Sequence, residues 1–238
     1  MSLLNGLHDR EAANILPEGT WCVDTVALSE NPVPPTYDER LNWLIRVNWG
    51  YGSTGTIPLA EQDDIYISRL ARYAAHAGPN HGYIIGNEPN HAQERPNGQI
   101  ITPKRYAEFF QKARTALREL SPAYRVIPAG LAPYHADPMD WLYYLRTMWE
   151  EILARGGAAG ICLHAYSRSQ DPSGIYSTER MGPPLTGQYS GFLTYRNALD
   201  ALSRVSSGLR NLPAYITECC PVDGWSSSNT GIVQAAYA

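Results

Sequence analysis

Two glutamates stand where a carboxylate pair could work. Glu88 follows the apolar run 82–86, and Glu218 closes the run 214–218. One carboxyl group that gives up a proton, facing a second that attacks or activates water across the same bond, is the equipment of glycoside hydrolysis. The plainer alternative is that each glutamate makes a structural ion pair, for example with Arg46. Other polar side chains collect at the ends of similar runs: His8 and Asp9; Arg46, Asn48 and Trp49; Asn87; His164 and Tyr166. Residues two apart in a strand share a face, so Arg46 goes with Asn48, His164 with Tyr166, Glu88 with Ile84 and Gly86, and Glu218 with Ile216. Ionisable groups on inward faces are costly unless paired or used. Rival chemistries find less support. His76, His81, His91 and His135 include no pair with the spacing of a known metal site, although His91 could belong to the surroundings of an acid/base. No G-x-S-x-G elbow is present. Neither a metal nor an organic cofactor is expected.

The elements that must position these groups are short apolar runs alternating with longer helical patterns. Strands are predicted over 3–8, 20–28, 43–49, 82–86, 125–131, 160–166 and 214–219. Most are almost continuously apolar, as strands covered on both faces require. Helices are predicted over 61–76, with Ile65, Leu70, Ala71 and Ala74 on one stripe; from the Thr102-Pro103 signal along Tyr106, Phe109, Phe110, Ala113 and Leu117; from Asp137-Pro138 along Trp141, Leu145, Met148 and Ile152; and over 192–205. Segments after the first two runs are proline-rich and promise only short helices. Repeated strand-helix units make a parallel sheet, open or closed. An open nucleotide-binding sheet would want a glycine-rich first turn, and Asn5-Gly6-Leu7-His8-Asp9 has one glycine. A closed barrel gathers its site from the C-terminal ends of several strands, where the polar residues above collect.

Composition narrows the rest. The 238 residues are 44% hydrophobic with 19 basic and 23 acidic side chains, which argues against a disordered chain and against a nucleic-acid module built on phosphate contacts. No run is long enough to span a bilayer, and none reads as a secretory signal, which leaves cytoplasmic and processed secreted proteins both open. The oligomeric state is not legible. Cys22, Cys162, Cys219 and Cys220 lie in apolar runs, as buried free thiols would. No linker divides the chain, so 1–238 reads as one domain.

Tyr83-Ile84-Ile85-Gly86-Asn87-Glu88-Pro89-Asn90 resembles the fourth-strand signature of the clan A glycoside hydrolases, the cellulase-like and xylosidase-like (β/α)8 barrels, and Ala214-Tyr215-Ile216-Thr217-Glu218 is similar to their seventh-strand segment. The strand count places the two glutamates on the fourth and seventh strands independently. The resemblance implies a TIM barrel and a retaining hydrolase of β-linked glycosides or polysaccharides. It implies Glu88 as general acid/base, Glu218 as nucleophile, and Asn87 on the sugar 2-hydroxyl. His164-Ala165-Tyr166 is similar to the sixth-strand His-x-Tyr whose tyrosine hydrogen-bonds the nucleophile, and Arg46 to the arginine that keeps it ionised. The partner implied is carbohydrate, with no nucleic acid and no membrane.

Aromatic residues near the expected mouth are Trp49, Tyr51, Tyr134, Tyr166, Tyr176, Tyr189 and Trp225; Trp49 and Trp225 follow strand ends and are candidates to touch sugar, together with His8 and Asn48. The 167–190 segment is long enough to cover a substrate. A rival reading is a catalytically silent barrel that binds carbohydrate or a protein, because such a fold does not guarantee turnover. An eighth strand, which in these barrels commonly brings a tryptophan beneath the sugar, is not found; 230–238 reads as the start of the seventh helix. The sequence therefore predicts a barrel whose C-terminal βα unit is missing.

Overall fold

In a computed structural model of the chain, the described residues are 6–7, 10–168 and 172–219. Seven strands run in parallel register: β1 (Gly6–Leu7), β2 (Trp21–Ala27), β3 (Asn42–Asn48), β4 (Gly82–Ile85), β5 (Arg125–Pro128), β6 (Ile161–His164) and β7 (Ala214–Glu218). The first five form one sheet in chain order and the last two form another. The bond from the Ala159 amide to the Val126 carbonyl, 2.9 Å, ties the approach to β6 to β5. Four long helices, α1 (Asp63–Ala77), α2 (Pro103–Leu120), α3 (Trp141–Ala154) and α4 (Thr194–Val205), cover the outer face. None of the described helices is long and apolar enough to cross a membrane.

Two apolar layers follow from strand periodicity. Trp43, Ile45 and Val47 of β3 face the helices, while Leu44 faces inward with Val23, Ile84, Ile127 and Cys162. Trp21 and Tyr215 close that inner layer, their rings 5.0 Å apart, so β2 and β7 meet across the interior. This is a filled barrel floor, on which a site can be built at the strand ends. The outer layer is held by helix stripes. On α2, Tyr106, Phe109, Phe110, Ala113 and Leu117 are all buried, each large apolar side chain contributing about 1.5–3 kcal/mol. Thr102 caps this helix by accepting from the Arg105 amide at 3.2 Å.

Several expectations need correcting. Ile65 is 49% exposed, and the buried stripe of α1 is Tyr66, Leu70, Tyr73 and Ala74. Tyrosine can take these positions because its hydroxyl finds a partner, as when Tyr66 donates to the Val47 carbonyl at 2.8 Å. The cap of α3 is Asp140 rather than Asp137; its carboxylate accepts from the Leu142 and Tyr143 amides. Between β2 and β3 there is no helix. Cys22 and Cys162 are buried free thiols as expected, but Cys219 is exposed at the end of β7. The expected helix over 230–238 lies outside the described residues, as do His8, Cys220 and Trp225.

Candidate active site

Strand alternation carries Arg46 and Asn48 inward above Leu44, where both are almost fully buried. The same alternation brings His164 inward above Cys162. It fails for Glu218. Ile216 packs outward against the helices, while Thr217 reaches inward to Cys162 and Arg46. The β6–β7 register slips between Leu163 and His164, so that His164 pairs with Glu218, the last residue of the strand. There the Glu218 carboxylate meets both Arg46 and Tyr166.

Glu88 reaches the site by a different device. Its backbone sits at φ 35°, a region costly for a side chain with a Cβ. The turn is pinned on both sides: the Glu88 amide donates to the Gly130 carbonyl at 3.1 Å, and the Glu88 carbonyl accepts from the His91 amide at 2.8 Å. Asn90, fully buried, donates to the Ala132 carbonyl at 2.8 Å and accepts from the Ala132 amide at 3.0 Å. Pro89-Asn90 thus clamps the loop after β4 onto the loop after β5. Gly130 is required by closeness alone, since a Cβ there would stand 2.5 Å from the His164 ring.

At the centre, a carboxylate oxygen of Glu88, one of Glu218 and a ring nitrogen of His164 all lie within 4.8 Å of one another. His164 Nδ1 is 2.6 Å from Glu88 Oε1 and 3.6 Å from Glu218 Oε2. The Tyr166 hydroxyl is 3.2 Å from Glu88 Oε1 and closer to Glu218 Oε2. It has one proton to give, so it serves one carboxylate at a time. Arg46 holds Glu218 with one guanidinium nitrogen and donates to Thr217 Oγ1 with another at 3.3 Å.

Burial works against charge on Glu218, but the charges of His164 and Arg46 and the bond from Tyr166 overcome it and bring the carboxyl down to about 2. Burial likewise opposes a charged His164. The hydrogen bonds with Cys162 and Glu88 and the charges of both glutamates carry it to about 10. At neutral pH His164 is therefore an imidazolium, and with the Arg46 guanidinium it faces the Glu218 carboxylate. The same three residues, Glu88, His164 and Glu218, are the one group of potential metal ligands among the described residues. Arg46 and the imidazolium compete directly with a cation there.

Of the other residues expected at the site, Asn87 and Asn48 are buried at the rim, and the Oδ1 atom of each lacks a protein partner among the described residues. Tyr51 is half exposed. Trp49 is not brought to the carboxylates. It shares the outward face of β3, packs on the helical core and lies under the Arg69 guanidinium, 4.9 Å from its ring centre. Tyr134 is a brace: its hydroxyl donates towards the Tyr166 and Tyr189 carbonyls at 2.9 and 3.1 Å. The loop after β6 is folded back on itself by an antiparallel bridge between Arg180 and Tyr189; its residues 169–171 lie outside the described set. His91 and His135 meet edge to face with ring centres 4.3 Å apart. Burial, then the charge of His91, holds His135 below the ordinary histidine range.

Glu94, which sequence reasoning passed over, stands near enough to the pair to feel the charges of Glu88 and Glu218, and its carbonyl accepts from the Thr56 amide at 3.2 Å. Burial first, and the charge of Glu88 next, raise its carboxyl. It follows no apolar run, so strand-end logic had no means of finding it.

Against solved structures, the chain resembles a family 39 glycoside hydrolase from the gut symbiont Bacteroides cellulosilyticus, with a TM-score of 0.55 and 19% identity over 91% of this chain and 46% of that one. The fold is that of the TIM-barrel glycoside hydrolases. Looser matches include a family 51 α-L-arabinofuranosidase from Bifidobacterium longum, with a TM-score of 0.44, 12% identity and coverage of 80% and 38%. A family 128 endo-β-1,3-glucanase from Amycolatopsis mediterranei matches with a TM-score of 0.46, 16% identity and coverage of 84% and 61%. The chain spans less than two thirds of the length of each. No protein-family model matches it, and no curated protein does.

Proposed function

We propose that the protein is a retaining glycoside hydrolase of β-linked sugars, with Glu218 as nucleophile and Glu88 as general acid/base. The observation that carries this reading is the approach of the two carboxylates to within 4.8 Å, with Arg46 and Tyr166 both on Glu218. Retaining enzymes set their carboxyl groups about 5–5.5 Å apart, whereas inverting enzymes leave roughly 6.5–9.5 Å for a water between them. A nucleophile must arrive ionised, and a carboxyl held at about 2 does so across the neutral range.

In the first step Glu218 attacks the anomeric carbon while a proton passes from Glu88 to the departing oxygen, leaving a glycosyl ester on Glu218. In the second, Glu88 takes a proton from water, the water oxygen bonds to the anomeric carbon and the ester bond breaks. Arg46 and Tyr166 steady the carboxylate that Glu218 regains. The proton shared along the 2.6 Å line between His164 Nδ1 and Glu88 Oε1 is the local source for the acid step. Asn48 and Asn87 bind sugar hydroxyls at the rim, and the partner is carbohydrate.

The same His164–Glu88 bond favours a second reading. An imidazolium at that distance is matched to a carboxylate, and an acid without its proton would leave a barrel that binds glycans without cleaving them. A panel of aryl β-glycosides and plant and microbial polysaccharides separates the two. Hydrolysis that disappears in Glu218→Ala supports the enzyme. Glycan binding without any Glu218-dependent hydrolysis supports the silent barrel.

A further inference from the structure

Successive residues of a strand point to opposite faces, yet Thr217 and Glu218 both meet the guanidinium of Arg46. Thr217 faces inward along β7, and the register slip beside His164 brings Glu218 to the same guanidinium. One terminal nitrogen of Arg46, Nη1, donates to Glu218 Oε1, and the other, Nη2, donates to Thr217 Oγ1 at 3.3 Å. The Nε of Arg46 lacks a protein partner among the described residues, which leaves the two terminal nitrogens to fix the guanidinium plane. A long side chain held by one hydrogen bond can pivot about it, whereas two bonds set its direction as well. Thr217 is suited to the second bond. Its hydroxyl sits close to a backbone already paired with β6, where Leu163 stands opposite Ile216. A guanidinium has no lone pair to offer, so Oγ1 is the acceptor. From the other side Cys162 Sγ lies 3.0 Å from the same oxygen and limits its rotation. Arg46, Cys162 and Thr217 are all buried, so water has little access to replace any of these contacts.

We infer that Thr217 is a positioning residue, whose hydroxyl orients the Arg46 guanidinium so that its other terminal nitrogen stays on the Glu218 carboxylate. The inference deepens the glycosidase reading and rests on it for the use made of Glu218. Threonine also fills a buried polar corner, and that alone would affect only stability. Acting through Arg46 has a different consequence, because a guanidinium that swings away gives less help to the charged form of Glu218 and lets its proton affinity rise.

Thr217→Val keeps the branched shape and deletes the hydroxyl, while Thr217→Ser keeps the hydroxyl and deletes a methyl group. The side-chain carboxyl signal of Glu218 in 13C-glutamate-labelled protein, identified by its absence in Glu218→Gln, reports the effect without any turnover. In Thr217→Val this carboxyl is expected to take up its proton about one pH unit higher than in the wild type, a roughly tenfold change, as for one hydrogen bond to a charged group. Thr217→Ser is expected to restore the wild-type titration. On an Arg46→Leu background, Thr217→Val is expected to move the signal no further, since it acts through Arg46. An unchanged titration in Thr217→Val, a serine variant that behaves like valine, or a shift that persists without Arg46 would each overturn the inference. Should Thr217→Val not fold, the smaller Thr217→Ala gives the same comparison with serine. On an aryl β-glycoside that the wild type cleaves, the acidic limb of kcat/KM is expected to move with the carboxyl signal in each variant. A wild-type protein that cleaves no glycoside defeats the glycosidase reading alone, and the carboxyl signal then decides for or against Thr217.

Discussion

Replacing Arg46 by leucine removes the guanidinium that holds Glu218 and leaves the carboxylate in a partly dry site. The Arg46 side chain is 3% exposed and that of Glu218 23%, so little water can take over. The Glu218 carboxyl is moved from 4.5 to about 2, an interval equivalent to roughly 3 kcal/mol of preference for the charged form in the folded state. His164 supplies part of that and remains, while the stem of Arg46 also contributes packing that leucine only partly replaces. We expect Arg46→Leu to cost about 3 kcal/mol at neutral pH, at the lower end for breaking a buried pair. The sign of the pH dependence follows. A depressed carboxyl stabilises above its unfolded value, and that contribution is lost as pH falls through the folded one. The gap between wild type and variant should therefore be widest near neutrality and narrow below about pH 4.5, where Glu218 in the variant takes up a proton and no longer needs a cation. Adding Glu218→Leu to Arg46→Leu should recover much of the loss, because an apolar pair leaves no charge unpaired. Urea unfolding of the wild type and the two variants across pH measures all of this. A cost below about 1 kcal/mol, or one that does not shrink in acid, would refute the ion-pair reasoning.

Other outcomes follow from single positions. Glu88→Gly should be more stable than Glu88→Ala by about 1 kcal/mol, seen as a higher thermal midpoint, because glycine adopts φ 35° without strain. Gly130→Ala should displace the His164 ring and lower kcat with little effect on KM, since its Cβ would stand 2.5 Å from that ring; unchanged kcat would mean the ring is not held where it is needed. Trp49→Ala should lower the unfolding midpoint by removing outer-layer packing, yet leave glycan affinity intact; a loss of affinity without a loss of stability would return Trp49 to the sugar site.

The fold was legible wherever a strand is covered on both faces. The runs around Ile45, Ile84, Ile127 and Leu163 are apolar because both the barrel floor and the helices claim them, and the structure places strands there to within a few residues. Arg46, Asn48 and His164 were legible by alternation from those same runs. Glu218 was found by a parity argument that does not hold, since Ile216 faces the other way and a slip in register rescues the geometry. Trp49 was misplaced for the converse reason: a residue just after a strand keeps the face its parity gives it. Glu94, Gly130 and Asn90 were not legible as site residues, because each acts by closing one loop on another, and loop-to-loop contacts leave no period in a sequence. The stripe of α1 was misread because tyrosine was not counted among residues that can be buried when the hydroxyl has a carbonyl to meet.

The claim on which everything else depends is that Glu218 bonds covalently to the sugar. A 2-deoxy-2-fluoro glycoside with a good leaving group, matched to whichever aryl glycoside the protein cleaves, slows the second step and lets the ester accumulate. Digestion and mass spectrometry should then find the fluorosugar on the peptide carrying Glu218 and on no other. Hydrolysis with no adduct, releasing a sugar of inverted anomeric configuration, or an adduct on Glu88 instead, would contradict the account.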